Sequence, residues 1–122
     1  MLQIETIINN YDNTGVISGK IIHVYKGGRK GVTATVGDSV LIASQKTDYR
    51  KIQKKKITRA VVVKTKKNVK RINGHYIKFK DSGVITLQEK DTFKATAIKG
   101  PISAELRFNT IAGIVTTVKS TL

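Results

Sequence analysis

Short runs rich in β-branched residues recur along this chain at 17–25, 39–43, 57–65, 76–80 and 84–87, with clusters of Gly, Asn and Asp between them. Runs of that length bounded by turn residues predict strands, and their close succession predicts a small closed β-sheet. The punctuation is explicit. Asp12-Asn13-Thr14-Gly15 precedes the first run, Gly27-Gly28-Arg29-Lys30-Gly31 follows it, Val36-Gly37-Asp38 leads into the next, and Asn73-Gly74 precedes 76–80. Asn-Gly is the favoured pair for a tight hairpin because both residues tolerate positive φ.

Within these runs the side-chain pattern assigns faces. Ile77 and Phe79 alternate with Tyr76, Lys78 and Lys80, so period-two geometry sends the apolar pair inward and leaves a basic outer face. Val61, Val62 and Val63 follow one another without alternation, as in a strand buried on both faces. Lys64, Lys66, Lys67, Lys70 and Arg71 then carry the charge into a hairpin arm. After Gly100-Pro101 the pattern changes. Ser103 as N-cap and Glu105 in the first turn predict a short helical segment at 100–115, with Ile111, Ile114 and Val115 covering one open end of the sheet. The architecture these runs predict is a small closed β-sheet whose wall grades into a charged finger, with a short helix near the end of the chain. A chain of 122 residues fits one such domain, 1–122, without repeat or linker, and buries roughly two thirds of its unfolded surface.

Charge narrows the function. Between Lys46 and Lys80 the chain places fourteen Lys and Arg against one acid, Asp48, which accounts for most of the net +15. Charge concentrated on ordered backbone attracts a polyanion, and the expected partner is nucleic acid. Like charges held together in a fold repel unless something neutralises them. The candidate phosphate-binding residues are Lys46, Arg50, Lys51, Lys54, Lys55, Lys56, Arg59, Lys64, Lys66, Lys67, Lys70, Arg71, Lys78 and Lys80, joined by Arg29 and Lys30 in the glycine-rich connection. Tyr49 and Tyr76 could stack on bases, but they lack the paired-aromatic pattern of an RNA-recognition sheet, so phosphate contact outweighs base reading.

Other chemistries find little support. With no cysteine and two histidines, His23 and His75, neither a disulfide, a Cys-based zinc site nor a His-built metal site is expected, and no cofactor is implied. Gly15-Val16-Ile17-Ser18-Gly19-Lys20 fails as a phosphate loop, since three residues rather than four separate the glycines and Ile21 follows the lysine. Gly27-Gly28-Arg29-Lys30-Gly31 reads as a strand connection before it reads as a nucleotide cradle. Neither histidine has a neighbouring nucleophile or acid at relay spacing, and the eight acids are scattered, so no catalytic residue is named. Met1-Leu2-Gln3-Ile4-Glu5 lacks the features of a signal peptide, and no apolar stretch approaches the length that spans a membrane.

The ordered motifs resemble one known family, the universal large-ribosomal-subunit protein numbered fourteen. They run from Asp12-Asn13-Thr14-Gly15 through Val36-Gly37-Asp38 to Arg59-Ala60-Val61-Val62-Val63-Lys64-Thr65-Lys66-Lys67. They continue with Arg71, Asn73-Gly74, Ile77-Lys78-Phe79, Gly100-Pro101-Ile102 and Glu105-Leu106-Arg107. The resemblance implies an all-β fold, a small five-stranded closed β-barrel with a protruding basic hairpin and short C-terminal helices, in a non-enzymatic component docked on large-subunit ribosomal RNA at the subunit interface and touching small-subunit RNA in a bridge. It also implies proteins numbered three and nineteen as neighbours and a surface for a ribosome silencing factor. Departures fall at 45–56, which lacks the family's Pro-Gly loop, at Asp81-Ser82-Gly83, at Ala95-Thr96-Ala97 and at the carboxy terminus. That drift, with Ile, Lys, Asn and Thr making up 54 residues, points to an organelle-encoded protein of the mitochondrial matrix, with bacterial cytoplasm or a plastid as the alternative. The competing reading is a small-barrel RNA-binding module outside the ribosome, and an RNA-cleaving or nucleotide-hydrolysing enzyme stands third.

Overall fold

The structure, a computed structural model, describes residues 2–11, 15–25, 33–47, 57–87 and 101–103. Among these residues seven strands form: β1 (Ile7–Asn10), β2 (Val16–Tyr25), β3 (Ser39–Thr47), β4 (Ile57–Lys64), β5 (Val69–Lys70), β6 (Tyr76–Ile77) and β7 (Gly83–Thr86). Five of them close into a barrel in the order β1-β2-β3-β4-β7, and β5 and β6 form a separate two-stranded sheet. Neighbours run antiparallel except at the seam, where β1 meets β7 in parallel through Asn9↔Gly83 and Asn10↔Val84. The Tyr11 amide extends that seam by donating to the Val84 carbonyl at 3.0 Å. Among the described residues no helix occurs, and the helical segment expected at 100–115 lies outside them beyond Ser103.

The barrel is thus as expected, but its membership is not. The run at 76–80 contributes to the hairpin sheet and not to the barrel, and the fifth barrel strand is β1, which the run pattern passed over. The reason is burial. Of residues 76–80, Phe79 alone is fully buried, at 8% exposure, whereas β1 commits Ile8 at 3% to the barrel interior.

Alternation sorts two apolar clusters to the two sides of the wall. Ile8, Ile21, Val40, Ile42, Ala60, Val62 and Val84 fill the interior together with Leu2 and Ala34. Leu2 and Ala34 are tied to each other by reciprocal backbone hydrogen bonds of 3.1 and 2.6 Å. On the opposite face, Val61, Val63, Ile85 and Leu87 pack with Ile102 and the half-buried Val36. Ser103 holds that covering segment down by donating its amide to the Val63 carbonyl at 3.2 Å. This explains the unbroken valine run: β4 is apolar on both sides because one faces the interior and the other lies under residues 101–103. Each fully buried Val or Ile contributes about 1.5–3 kcal/mol relative to exposure.

The turns also show their chemistry. At 35–38 the Asp38 amide donates to the Thr35 carbonyl at 3.1 Å, while the Asp38 carboxylate accepts from the Thr35 amide and hydroxyl at 2.7 and 3.0 Å. The hairpin tip is not the tight turn with two positive φ angles that Asn73-Gly74 predicts. Gly74 alone takes a positive φ, 84°. Its amide donates to the Arg71 carbonyl at 3.0 Å, and the Arg71 amide donates to the His75 carbonyl at 2.8 Å, enclosing a three-residue loop of Ile72, Asn73 and Gly74. That is a turn followed by a left-handed residue, the next commonest hairpin geometry. Asn73 serves through its side chain, whose Oδ1 accepts the His75 amide at 3.1 Å.

Candidate nucleic-acid interface

The arm that leaves the barrel at the end of β4 is rooted by three hydrogen bonds. The Phe79 amide donates to the Thr65 carbonyl at 3.2 Å, the Lys66 amide to the Ser82 hydroxyl at 3.2 Å, and the Thr65 hydroxyl to the Lys67 carbonyl at 3.1 Å. Thr65 and Phe79 are buried at this root, so the two legs are anchored in the protein and the rest projects from it. Beyond the root the pairing is Val69↔Ile77 and Lys70↔Tyr76. Strand alternation therefore puts the half-buried Val69 and Ile77 on one face and the exposed Lys70 and Tyr76 on the other.

The expected cations divide into three groups. Lys66, Lys67, Lys70, Lys78 and Lys80 are exposed on the arm, and Arg71 is half-buried at its turn. Lys46 is exposed at the end of β3. Arg50, Lys51, Lys54, Lys55, Lys56, Arg29 and Lys30 lie outside the described residues. Asp81 is the single acid among residues 57–87, so the arm carries nearly uncompensated positive charge. Its lysines fall within a few residues of one another along two paired legs, and charges closer than about 10 Å are poorly screened at ordinary salt.

Arg59 and Lys64 sit differently. Arg59 is half-buried on β4 with its guanidinium carbon 4.9 Å above the Tyr25 ring. Lys64 is only 8% exposed. A register shift between Val62 and Lys64 in the β4–β7 pairing turns its side chain toward the seam, where its Nζ lies 3.6 Å from the centroid of the Tyr11 ring. Burial pushes the Lys64 ammonium below its usual range, and the Asp81 charge pulls part of that back. The ring supplies the electrostatic partner that a desolvated ammonium needs. Gly83 makes room for it: a Cβ there would overlap Tyr11 Cδ2 and Cε2 and stand 3.3 Å from Lys64 Cε. Neither Tyr11 nor its pairing with Lys64 is signalled by spacing, because 53 positions of chain separate them and a bulge brings them together.

A closed β-barrel presenting a cation-covered hairpin rooted in its wall is suited to holding polyanionic backbone in register. A family model for ribosomal protein L14p/L23e matches residues 1–122, the whole length of the chain. With the barrel and its arm in agreement with that match, the chain belongs to the ribosomal protein L14p/L23e family, structural proteins of the large ribosomal subunit.

Proposed function

We propose that this protein binds large-subunit ribosomal RNA by neutralising phosphates with Lys66, Lys67, Lys70, Arg71, Lys78 and Lys80, extended by Lys46, by the basic segment at 50–56 and by Arg29 and Lys30. The observation that carries the reading is the exposure of the arm lysines on backbone rooted by Thr65 and Phe79, with Asp81 as the nearby acid. In this reading Lys64, buried beside the Tyr11 ring, serves the barrel seam in place of phosphate contact. In the same reading the protein lies at the subunit interface, contributes to a bridge with small-subunit RNA, and neighbours the large-subunit proteins numbered three and nineteen. A mitochondrial ribosome and a silencing-factor surface belong to the proposal as well.

Sedimentation tests it. Ribosomes from the source cells are washed at moderate salt and separated on a sucrose gradient, and the protein is expected to remain with large subunits. Release into the light fractions favours the free RNA-binding module. Cross-linking within the assembled subunit then tests the named neighbours, and co-purification with mitochondria tests the location.

A further inference from the structure

We propose that Tyr25, held between His23 and Arg59 on the outer face of the barrel wall, is a stacking site for one unpaired nucleobase of a bound RNA strand. The proposal rests on the RNA-binding reading above and adds a second, chemically different contact to it.

The site is built by strand register. His23 on β2 pairs with Leu41 on β3, and Leu41 pairs with Arg59 on β4, so His23 and Arg59 lie in one row across three strands. Tyr25 is two residues beyond His23 on the same strand and occupies the same face. That face is the outer one, since the intervening neighbours Ile42, Val40 and Ala60 point into the interior cluster. The His23 and Tyr25 rings meet edge to face, with centroids 4.7 Å apart and planes at 79°. The Arg59 guanidinium lies over the Tyr25 ring at 4.9 Å.

Tyr25 is therefore fixed from two sides while 42% of its surface stays exposed. Its ring is held in place by its neighbours and is still open to solvent. A ring that is positioned and left open can receive a flat π-system at a small cost in ordering. A guanidinium beside the ring makes the spot positive, which suits the phosphates that flank a base, and cation–π contact from arginine is a recurring part of single-strand platforms. Basic sequence adjoins on both strands: Arg29 and Lys30 follow Tyr25 closely, and Lys54, Lys55 and Lys56 precede β4. Arg59 and Lys64 are five residues apart on β4, so at about 3.3 Å per residue the platform stands about 17 Å from the point where the basic arm departs. The two contacts form separate points on one RNA path.

The test uses the full chain and two fluorescently labelled single-stranded RNA oligomers of equal length, an oligouridylate and an abasic oligomer with the same phosphates. Anisotropy titrations of the wild type should show tighter binding of the oligouridylate. Tyr25→Leu should weaken that binding by about 5- to 150-fold, the range for loss of one base stack, and leave abasic binding unchanged. Tyr25→Phe, which keeps the ring, should bind as the wild type does. Photo-crosslinking of a 4-thiouridine oligomer to the wild type should map to the peptide containing Tyr25. Equal wild-type affinity for the two oligomers, equal losses for Leu and Phe, or an adduct at Tyr76 in place of Tyr25 would each overturn the stacking site while leaving phosphate binding intact. Failure of the wild type to bind either oligomer would instead sink the phosphate reading, and the stacking site with it.

Discussion

Replacing Gly83 by Ala should open the barrel at its parallel seam, and the expected cost can be worked from three neighbours. The added Cβ would overlap the edge of the Tyr11 ring and approach Lys64 Cε to 3.3 Å. The Tyr11 backbone is held by the 3.0 Å hydrogen bond from its amide to the Val84 carbonyl, so relief has to come from the ring itself. Overpacking of this kind costs about 1–3 kcal/mol. If the ring swings aside, its contact with the Lys64 ammonium is lost, about 1–2 kcal/mol for a largely desolvated cation–π pair. Together the two come to about 2–5 kcal/mol, a large share of the stability of a domain this size. Urea unfolding followed by far-ultraviolet circular dichroism measures it. The mechanism makes a sharper demand through the double variant. Tyr11→Ala removes the obstructing ring, so Gly83→Ala in that background should cost little, and the two changes should couple by at least about 1 kcal/mol. Additivity within about 0.5 kcal/mol would refute the argument, because sites that do not touch behave that way.

Three further outcomes are expected. Burial holds the folded-state pKa of Lys64 below its ordinary 10.5, so the unfolded chain binds the extra proton and the penalty is present below the folded value. Measured as wild type minus Lys64→Met, stability should therefore rise as pH climbs toward 10.5, and a flat or falling difference would contradict the burial of the charge. Gly74→Ala should loosen the hairpin tip by about 1 kcal/mol through backbone strain alone, since φ is 84° and no atom lies within 4 Å of the added methyl; faster hydrogen exchange at the Arg71 amide reports it. Ile42→Ala, fully buried in the barrel interior, should cost about 2–5 kcal/mol in urea unfolding, while Ile72→Ala at the fully exposed tip should leave the midpoint unchanged.

Much of the fold was legible because β-branched runs and turn residues report backbone preference directly. β2, β3, β4 and β7 all arise where such runs lie, and the inward placement of Phe79 follows from alternation with Lys78 and Lys80. What escaped depends on partners distant in sequence. β1 has two apolar residues followed by Asn9 and Asn10, and it becomes a strand because β2 and β7 pair with it on either side. The run at 76–80 resembles a barrel strand locally, but among the described residues it pairs with β5. Charge alone placed Lys64 on the surface with its neighbours, whereas one bulge in β4 turns it under Tyr11. The alignment of His23, Tyr25 and Arg59 was hidden for the same reason. It exists only through the register of β3 between β2 and β4, which no spacing along the chain encodes.

The central claim is that a rigid barrel holds a cationic arm in place for RNA phosphates, and the salt dependence of RNA binding tests it most directly. The wild type and a variant with Lys66, Lys67, Lys70 and Arg71 changed to Ala are titrated with a duplex fragment of large-subunit ribosomal RNA across a salt series. On the duplex-DNA scale of about 0.9 per phosphate, four lost contacts should flatten the slope of log affinity against log salt by about 3.6. The circular-dichroism spectrum should stay that of the wild type. An unchanged slope in a folded variant would contradict the account.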